Sequence, residues 1–310
     1  MNNELIDSLE YYIETLNIKM KIENKSDNTI SSYNVTYKTF LLFLSESRKN
    51  ITLKSLKEED IYLFFSYKSR NLQKQGDIST ATANAILSHL KKLFKHIERN
   101  SDELYDFDRV FDDIKIKNIK SKPKGFTLKE QKNLIDYLEN KMELSNKFID
   151  VRNSILVKFM MCGGLRISEA LSIKMESINE YGNDFYELEF IGKGRKERYT
   201  LIGKEFLEKE LNWLNSSPSF DKSKEIALTE NGKPLNRSSF WIIIDRVYKK
   251  IGVKQAGLHV LRHTFAKNLL NNGKSVSILQ SMLGHSSLQT TSVYTNPTRD
   301  MIFLAMNKKT

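Results

Sequence analysis

Apolar residues recur at helical spacing almost without interruption up to about residue 115, and this rhythm restricts that part of the chain to a bundle of helices. Leu5, Leu9, Tyr12 and Leu16 share one helical face, as do Tyr33, Tyr37, Phe40 and Leu44. Ser55-Leu-Lys-Glu58 spells a capping box ahead of Ile61, Leu63, Phe64 and Phe65. Ser79 or Thr80 is placed to cap a further helix carrying Ala83, Ile86, Leu90, Phe94 and Ile97. The first helix, within residues 1–25, reads as a separate extension ahead of Ser26-Asp27-Asn28.

The rhythm stops at Lys115, Lys117, Lys120, Lys122 and Lys124, a basic stretch with little apolar content that ends at Gly125 and reads as a linker. Residues 1–114 are thus expected to form a helical domain, 115–125 a linker and 126–310 a second domain. That second domain opens on another capping box, Thr127-Leu-Lys-Glu130. A helix over 152–161 is stopped by Gly163-Gly164. Two strands are predicted over 185–191 and 198–202, around the turn Gly192-Lys-Gly-Arg195. Helices follow over 205–215, 238–251, 260–270 and 275–282. The expected class is mainly α, with a small antiparallel β-sheet in the second half.

Composition narrows the function. The chain has 310 residues, 40% of them hydrophobic and 28% charged, which suits two globular domains. No apolar run is long enough to span a bilayer, and no signal peptide is read at the N-terminus, so the expected setting is the cytoplasm without a membrane partner. The single cysteine, Cys162, rules out an internal disulfide. Forty-nine Lys and Arg against thirty-eight Asp and Glu give a net charge of +11, which favours a polyanionic partner because neutralised phosphates release counterions. Lys91, Lys92 and Lys95 are candidate backbone contacts on a helix of the first domain, as are Lys120, Lys122 and Lys124 in the linker and Arg195 in the turn. No aspartate cluster suits magnesium, no Cys/His spacing suits zinc, and no Gly-rich Lys-Ser/Thr loop suits a nucleotide. No metal or other cofactor is therefore expected.

Four distant segments carry the candidate chemistry: Gly164-Leu-Arg-Ile-Ser-Glu169, Gly192-Lys-Gly194, His259-Val-Leu-Arg-His-Thr264, and Leu283-Gly-His285 followed by Tyr294. Each segment alone is weak; a lone glycine-flanked lysine is usually a plain hairpin turn. His263, directly after Arg262, is read as structural. Taken together and in order, the segments resemble the tyrosine recombinase (phage integrase) family. That family's signature is an Arg in a Gly-Leu-Arg-x-x-Glu box, a hairpin Lys, a His-x-x-Arg pair, a later Gly-His and a nucleophilic Tyr. The resemblance covers the second domain; the helical first domain and the linker match the family's core-binding (SAM-like) half more loosely.

The resemblance implies a site-specific recombinase that cuts DNA through a 3′-phosphotyrosyl link, with Arg166, Lys193, His259, Arg262, His285 and Tyr294 as its active-site residues. The chemistry of the side chains agrees. Guanidinium groups at Arg166 and Arg262 suit the non-bridging oxygens of a crowded, doubly anionic phosphorane-like state. Tyr294, a phenol of ordinary pKa about 10, needs its proton removed, and His259 is the best acceptor, with His285 a further donor to the phosphate. Lys193 as general acid at the leaving 5′ oxygen follows the family alone. Glu169, one helical step past Arg166, suits an orienting role.

The family also implies a homo-tetramer on two DNA duplexes. With only residues 1–25 ahead of the core-binding half, the layout looks like the Xer type, which resolves chromosome dimers at a short palindromic, dif-like site, in some cases under a DNA translocase. An integrase or excisionase of a mobile element shares this layout and stays open. Alternatives from other classes are a type IB topoisomerase, a non-catalytic DNA-binding regulator and an RNA-binding protein. Ile302, Phe303, Leu304 and Met306 form a short apolar tail, read either as docking on a neighbouring subunit or as packing on its own domain.

Overall fold

A computed structural model describes residues 3–47, 51–71, 78–116, 125–192, 196–217, 220–253, 257–272 and 275–283. Lys120, Lys122, Lys124, Lys193, Arg195, His285, Tyr294 and the apolar tail lie outside the described residues. The chain divides into two compact units, Met1–Ser121 and Lys122–Thr310.

Five helices form the first unit among the described residues: α1 (Asn3–Ile22), α2 (Asp27–Ser47), α3 (Glu58–Asn71), α4 (Thr80–Asn100) and the short α5 (Asp108–Phe111). The predicted periodicity is realised in one aromatic-rich core. Phe40 meets Phe64 and Phe94 edge-on, with centroids 5.0 and 6.0 Å apart. Tyr37 is fully buried and donates its hydroxyl to the His89 carbonyl at 3.0 Å. The expected extension at residues 1–25 is corrected: Leu5, Leu9, Leu16 and Met20 of α1 are buried in this same core. Asn24 then turns the chain with a left-handed φ of 56°, a conformation its short polar side chain tolerates.

A second correction concerns Ser55. It closes a one-turn 3-10 helix (Leu53–Ser55) in a capping box with Thr52 and does not cap α3. The start of α3 is held by Asp60, whose carboxylate accepts the Lys57 backbone N–H at 2.9 Å. Ser79 caps α4, accepting from the Thr82 N–H at 3.1 Å.

The second unit is built around α7 (Phe148–Met161), in which every residue from Asp150 to Met161 is buried. It packs between α6 (Leu128–Ser145) and α9 (Lys204–Ser216). Full burial obliges its polar residues to find partners. Lys158 meets Glu139 at 2.7 Å and Glu210 at 2.6 Å, and Ser154 donates to Glu210 at 2.5 Å. Removing one partner from such a buried set leaves an uncompensated charge, at a cost of about 3–5 kcal/mol.

After α7 come α8 (Ile167–Leu171) and a three-stranded antiparallel sheet, β1 (Ile178–Tyr181), β2 (Phe185–Ile191) and β3 (Glu197–Gly203), in the order β1-β2-β3. Its β2–β3 register runs from Phe185 opposite Gly203 to Ile191 opposite Glu197. The remaining helices are α10 (Arg237–Lys250), α11 (His259–Asn271) and α12 (Val276–Leu283). The class is the expected one, mainly helical with a small antiparallel sheet. Among the described residues no helix is long and apolar enough to cross a membrane.

Candidate active site

The end of α7 sets the site. The Leu165 N–H turns back to the Phe159 carbonyl at 3.2 Å, and Gly164 takes a left-handed φ of 70°. A Cβ at Gly164 would lie 2.4 Å from a ring carbon of Phe265 on α11, so only glycine lets the two helices meet there. The chain leaves this turn extended at Arg166 and starts α8, where Glu169 accepts the Arg166 backbone N–H at 2.6 Å.

Glu169 is buried, with 4% of its side chain exposed, and three guanidinium groups converge on it. Arg166 Nη1 lies 2.8 Å from Oε1, Arg198 Nη1 lies 3.6 Å from Oε1, and Arg262 Nη1 lies 3.4 Å from Oε2. Arg262 also donates Nη1 to the Gly164 carbonyl at 2.5 Å and Nη2 to the Leu283 carbonyl. Arg198 donates Nη2 to the carbonyls of Ser281 at 3.2 Å and Met282 at 2.7 Å. Among the described residues, three cations on one carboxylate leave two positive charges without an acidic partner in this cluster.

The electrostatics record this crowding. Arg262 is lowered from the ordinary arginine range to about 10, first by burial and then by the Arg166 charge, with Glu169 opposing. Arg198 is lowered for the same first reason, while Glu169 supports its charge. At about 10, Arg262 stays protonated near neutral pH. An anion entering the cluster would relieve the repulsion among the three guanidiniums.

His259 is exposed at the first residue of α11, one turn before Arg262. Its ring stands edge-on to that of His263, with centroids 5.5 Å apart. His263 is half-buried and its pKa is lowered, by burial first and then by the charges of His259 and Arg262. Cys162 is half-buried, and burial pushes its thiol up to about 12, which leaves it protonated and unreactive. Lys91 and Lys95 are exposed on α4. Lys92 is already engaged by the protein, 3.9 Å from Glu23 and over the ring of Tyr33. Among the described residues no three His, Cys, Asp or Glu side chains converge on a metal-sized site.

The structure thus gathers Arg166, Glu169 and Arg262 from separate segments, and adds Arg198, which the sequence analysis read only as the start of a strand. A signal was available. Arg198 alternates along β3 with Thr200 and Ile202, both buried, so a charge on that face calls for a buried partner.

Comparison with known proteins agrees with this arrangement. Residues 124–301 match the phage integrase family model, and residues 12–102 match the model of the phage integrase N-terminal SAM-like domain. The chain is 32% identical to the tyrosine recombinase XerC of Leptospira interrogans over 295 residues, covering 91% of this chain and 88% of that protein. It is 31% identical to the tyrosine recombinase XerD of Oceanobacillus iheyensis over 302 residues, covering 94% and 95%. Among solved structures, XerH bound to a palindromic difH substrate in a post-cleavage complex shares the fold with a TM-score of 0.70 at 23% identity, covering 89% of this chain and 77% of XerH. The Tn1549 transposon integrase in complex with circular intermediate DNA shares it with a TM-score of 0.63 at 16% identity, covering 96% and 99%. With both halves matched by the family's own models and two Xer relatives aligned over nine-tenths of its length, the chain belongs to the phage integrase family and is a Xer-type tyrosine recombinase, a site-specific DNA recombinase.

Proposed function

We propose that this recombinase cuts DNA by attack of the Tyr294 phenolate oxygen on a scissile phosphodiester, with Arg166 and Arg262 holding the non-bridging oxygens. The observation that carries this reading is the surplus of two positive charges around Glu169, which complements a doubly negative phosphorane-like state. Arg166 is 31% and Arg262 12% exposed, so both retain a face toward solvent. Of the five N–H donors of Arg262, three are used among the described residues, and Nε–H and one Nη2–H are assigned to a phosphate.

The steps balance without an external energy source. The Tyr294 proton passes to His259, the Tyr294 oxygen bonds phosphorus, and the bond from phosphorus to the 5′ oxygen breaks as Lys193 supplies a proton. His285 gives a further hydrogen bond to the phosphate. A 5′-hydroxyl from the partner duplex then attacks the 3′-phosphotyrosyl link and releases the tyrosine. The roles of Lys193, His285 and Tyr294 rest on their places in the sequence motif.

The substrate in this reading is double-stranded DNA carrying a short palindromic, dif-like site, bound by a tetramer across two duplexes. The Xer relatives favour chromosome-dimer resolution in the cytoplasm over integration or excision of a mobile element, with a DNA translocase as a candidate activator. Lys91, Lys95, Lys120, Lys122, Lys124 and Arg195 are assigned to the DNA backbone, while Lys92, held by Glu23 and Tyr33, contributes less. Nicked duplexes carrying candidate palindromes, incubated with the protein and a chelator, should give a covalent adduct on a denaturing gel. Tyr294→Phe should abolish it. An adduct that persists in Tyr294→Phe, or that needs a divalent metal, would overturn the assignment.

A further inference from the structure

Arg198 lies outside the motif set, yet its guanidinium is engaged within the protein on both terminal nitrogens. Both Nη2 hydrogens are spent on the Ser281 and Met282 carbonyls, Nη1 faces Glu169, and 16% of the side chain is exposed. Together with the donation of Arg262 to Leu283, three successive carbonyls at the end of α12 are capped by two guanidiniums that share one carboxylate. The end of a helix carries partial negative charge and unpaired carbonyls, so cations there fix its last turn. In the chain this turn leads directly to Gly284-His285.

The same side chain is fixed at its base. Arg198 leaves β3 close to the hairpin closure, where the Gly192 N–H meets the Lys196 carbonyl at 2.8 Å. A Cβ at Gly192 would lie 2.4 Å from Arg198 Cδ, so the first glycine of the Gly-Lys-Gly motif makes room for the arginine stem. The guanidinium then stands 5.7 Å from the centre of the Phe190 ring.

We propose that Arg198 is a positioning residue for strand cleavage, one that holds the end of α12 and Glu169 in place so that Arg262 presents its remaining Nε–H and Nη2–H to the scissile phosphate. This deepens the phosphotyrosyl reading and rests on it. A phosphate oxygen is a strong acceptor for those N–H groups, and their direction is set by the Gly164 and Leu283 carbonyls and the Glu169 carboxylate that hold Arg262. Arg198 grips the two carbonyls that precede Leu283. Arg198 thereby links the strand pair flanking Lys193 to the helix preceding His285. A lysine cannot replace it, because one ammonium cannot reach Glu169 and two carbonyls in the same fixed fork.

The test is single-turnover adduct formation on a nicked palindromic duplex by Arg198→Lys, Arg198→Ala and Gly192→Ala, with wild type and Tyr294→Phe alongside. DNA affinity across a salt series and melting temperature are measured on the same proteins. Arg198→Ala should slow adduct formation by about 100-fold, the scale of a small misplacement of catalytic groups. Arg198→Lys should recover little of that loss and Gly192→Ala should follow it, while DNA affinity changes by less than about twofold and the salt slope is kept. An unchanged rate in Arg198→Ala overturns the proposal. So does weaker DNA binding with the salt slope reduced by about one, which would make Arg198 a phosphate contact itself. A slow rate that returns to wild type well below each variant's melting temperature would overturn it in favour of a role in stability alone. No adduct with wild type would overturn the phosphotyrosyl reading first; where wild type does form the adduct, the variant rates bear on Arg198 alone.

Discussion

Glu169 decides how many arginines can be held in one place. Its two oxygens take up the Arg166 backbone N–H and three guanidiniums, while 4% of its side chain meets solvent. Glu169→Gln keeps the shape and removes the charge, so three cations would then face one another in a half-buried space. The expected cost is about 3 kcal/mol, the lower end for breaking a buried ion pair because Arg166 is partly exposed, and it is read as a lower urea midpoint with an unchanged slope. A midpoint equal to wild type would show that the carboxylate does not balance the cluster. At this scale Arg166, Glu169 and Arg262 were named through the resemblance of Gly-Leu-Arg-x-x-Glu and His-x-x-Arg to the family's motifs. The sequence was silent on Arg198, because the partners of that residue are a carboxylate 29 positions earlier and two carbonyls more than 80 positions later, which no local pattern encodes.

Helices with a clear apolar period were legible as elements, and their limits moved by a few residues at most, as at α7 and α10. What local pattern missed was short or exposed. Strand β1 has four residues, Ile-Asn-Glu-Tyr, none of them buried, and exists because it pairs with β2. Helix α8 has five residues and is started by the Glu169 contact. The Ser55 capping box failed because Thr52, three residues earlier, offered the same chemistry first. Between α1 and α4, His96 makes a contact with a pH consequence. Asn100 Nδ2 donates to Nδ1 at 3.1 Å, so Nε2 carries the proton toward Thr15 Oγ1 at 2.9 Å. Burial, then Lys19 and Lys92, hold its pKa below the usual histidine value. Below about pH 6.5 the unfolded chain therefore binds more protons at this position than the folded one, and stability falls as pH falls. Urea unfolding at pH 7.5 and pH 5.5 should show a lower midpoint at the acid value. His96→Gln should flatten that difference in part, since His89 and His263 are lowered as well. A pH dependence identical in wild type and His96→Gln would contradict the assignment.

For the whole molecule, the two compact units divide within the basic segment 115–125. Ile114 and Ile116 belong to the first core, and Phe126 belongs to the second. In the sequence, the apolar period gives way to the lysine run from Lys115. The apolar tail Ile302, Phe303, Leu304 and Met306 is read there either as docking on a neighbouring subunit or as packing on its own domain. If that tail docks on a neighbour, truncation after Thr298 should leave the first protein–DNA complex intact in a gel-shift titration and remove the cooperative formation of higher complexes. Cooperative assembly equal to wild type would show that the tail packs on its own domain.

If the guanidiniums around Glu169 neutralise a scissile phosphate, their contribution should fall when charge is removed from the DNA. Nicked duplexes carrying either a normal scissile phosphate or a neutral methylphosphonate are given to wild type and to Arg262→Ala, and the rate of tyrosyl adduct formation is followed. On the phosphate, Arg262→Ala should be slower than wild type by about 100-fold or more, the scale of losing one charge-stabilising donor. On the methylphosphonate, at least about tenfold of that deficit should disappear, because there is less charge left to stabilise. An equal deficit on both substrates would contradict the account and assign Arg262 to holding Gly164 and the end of α12 alone.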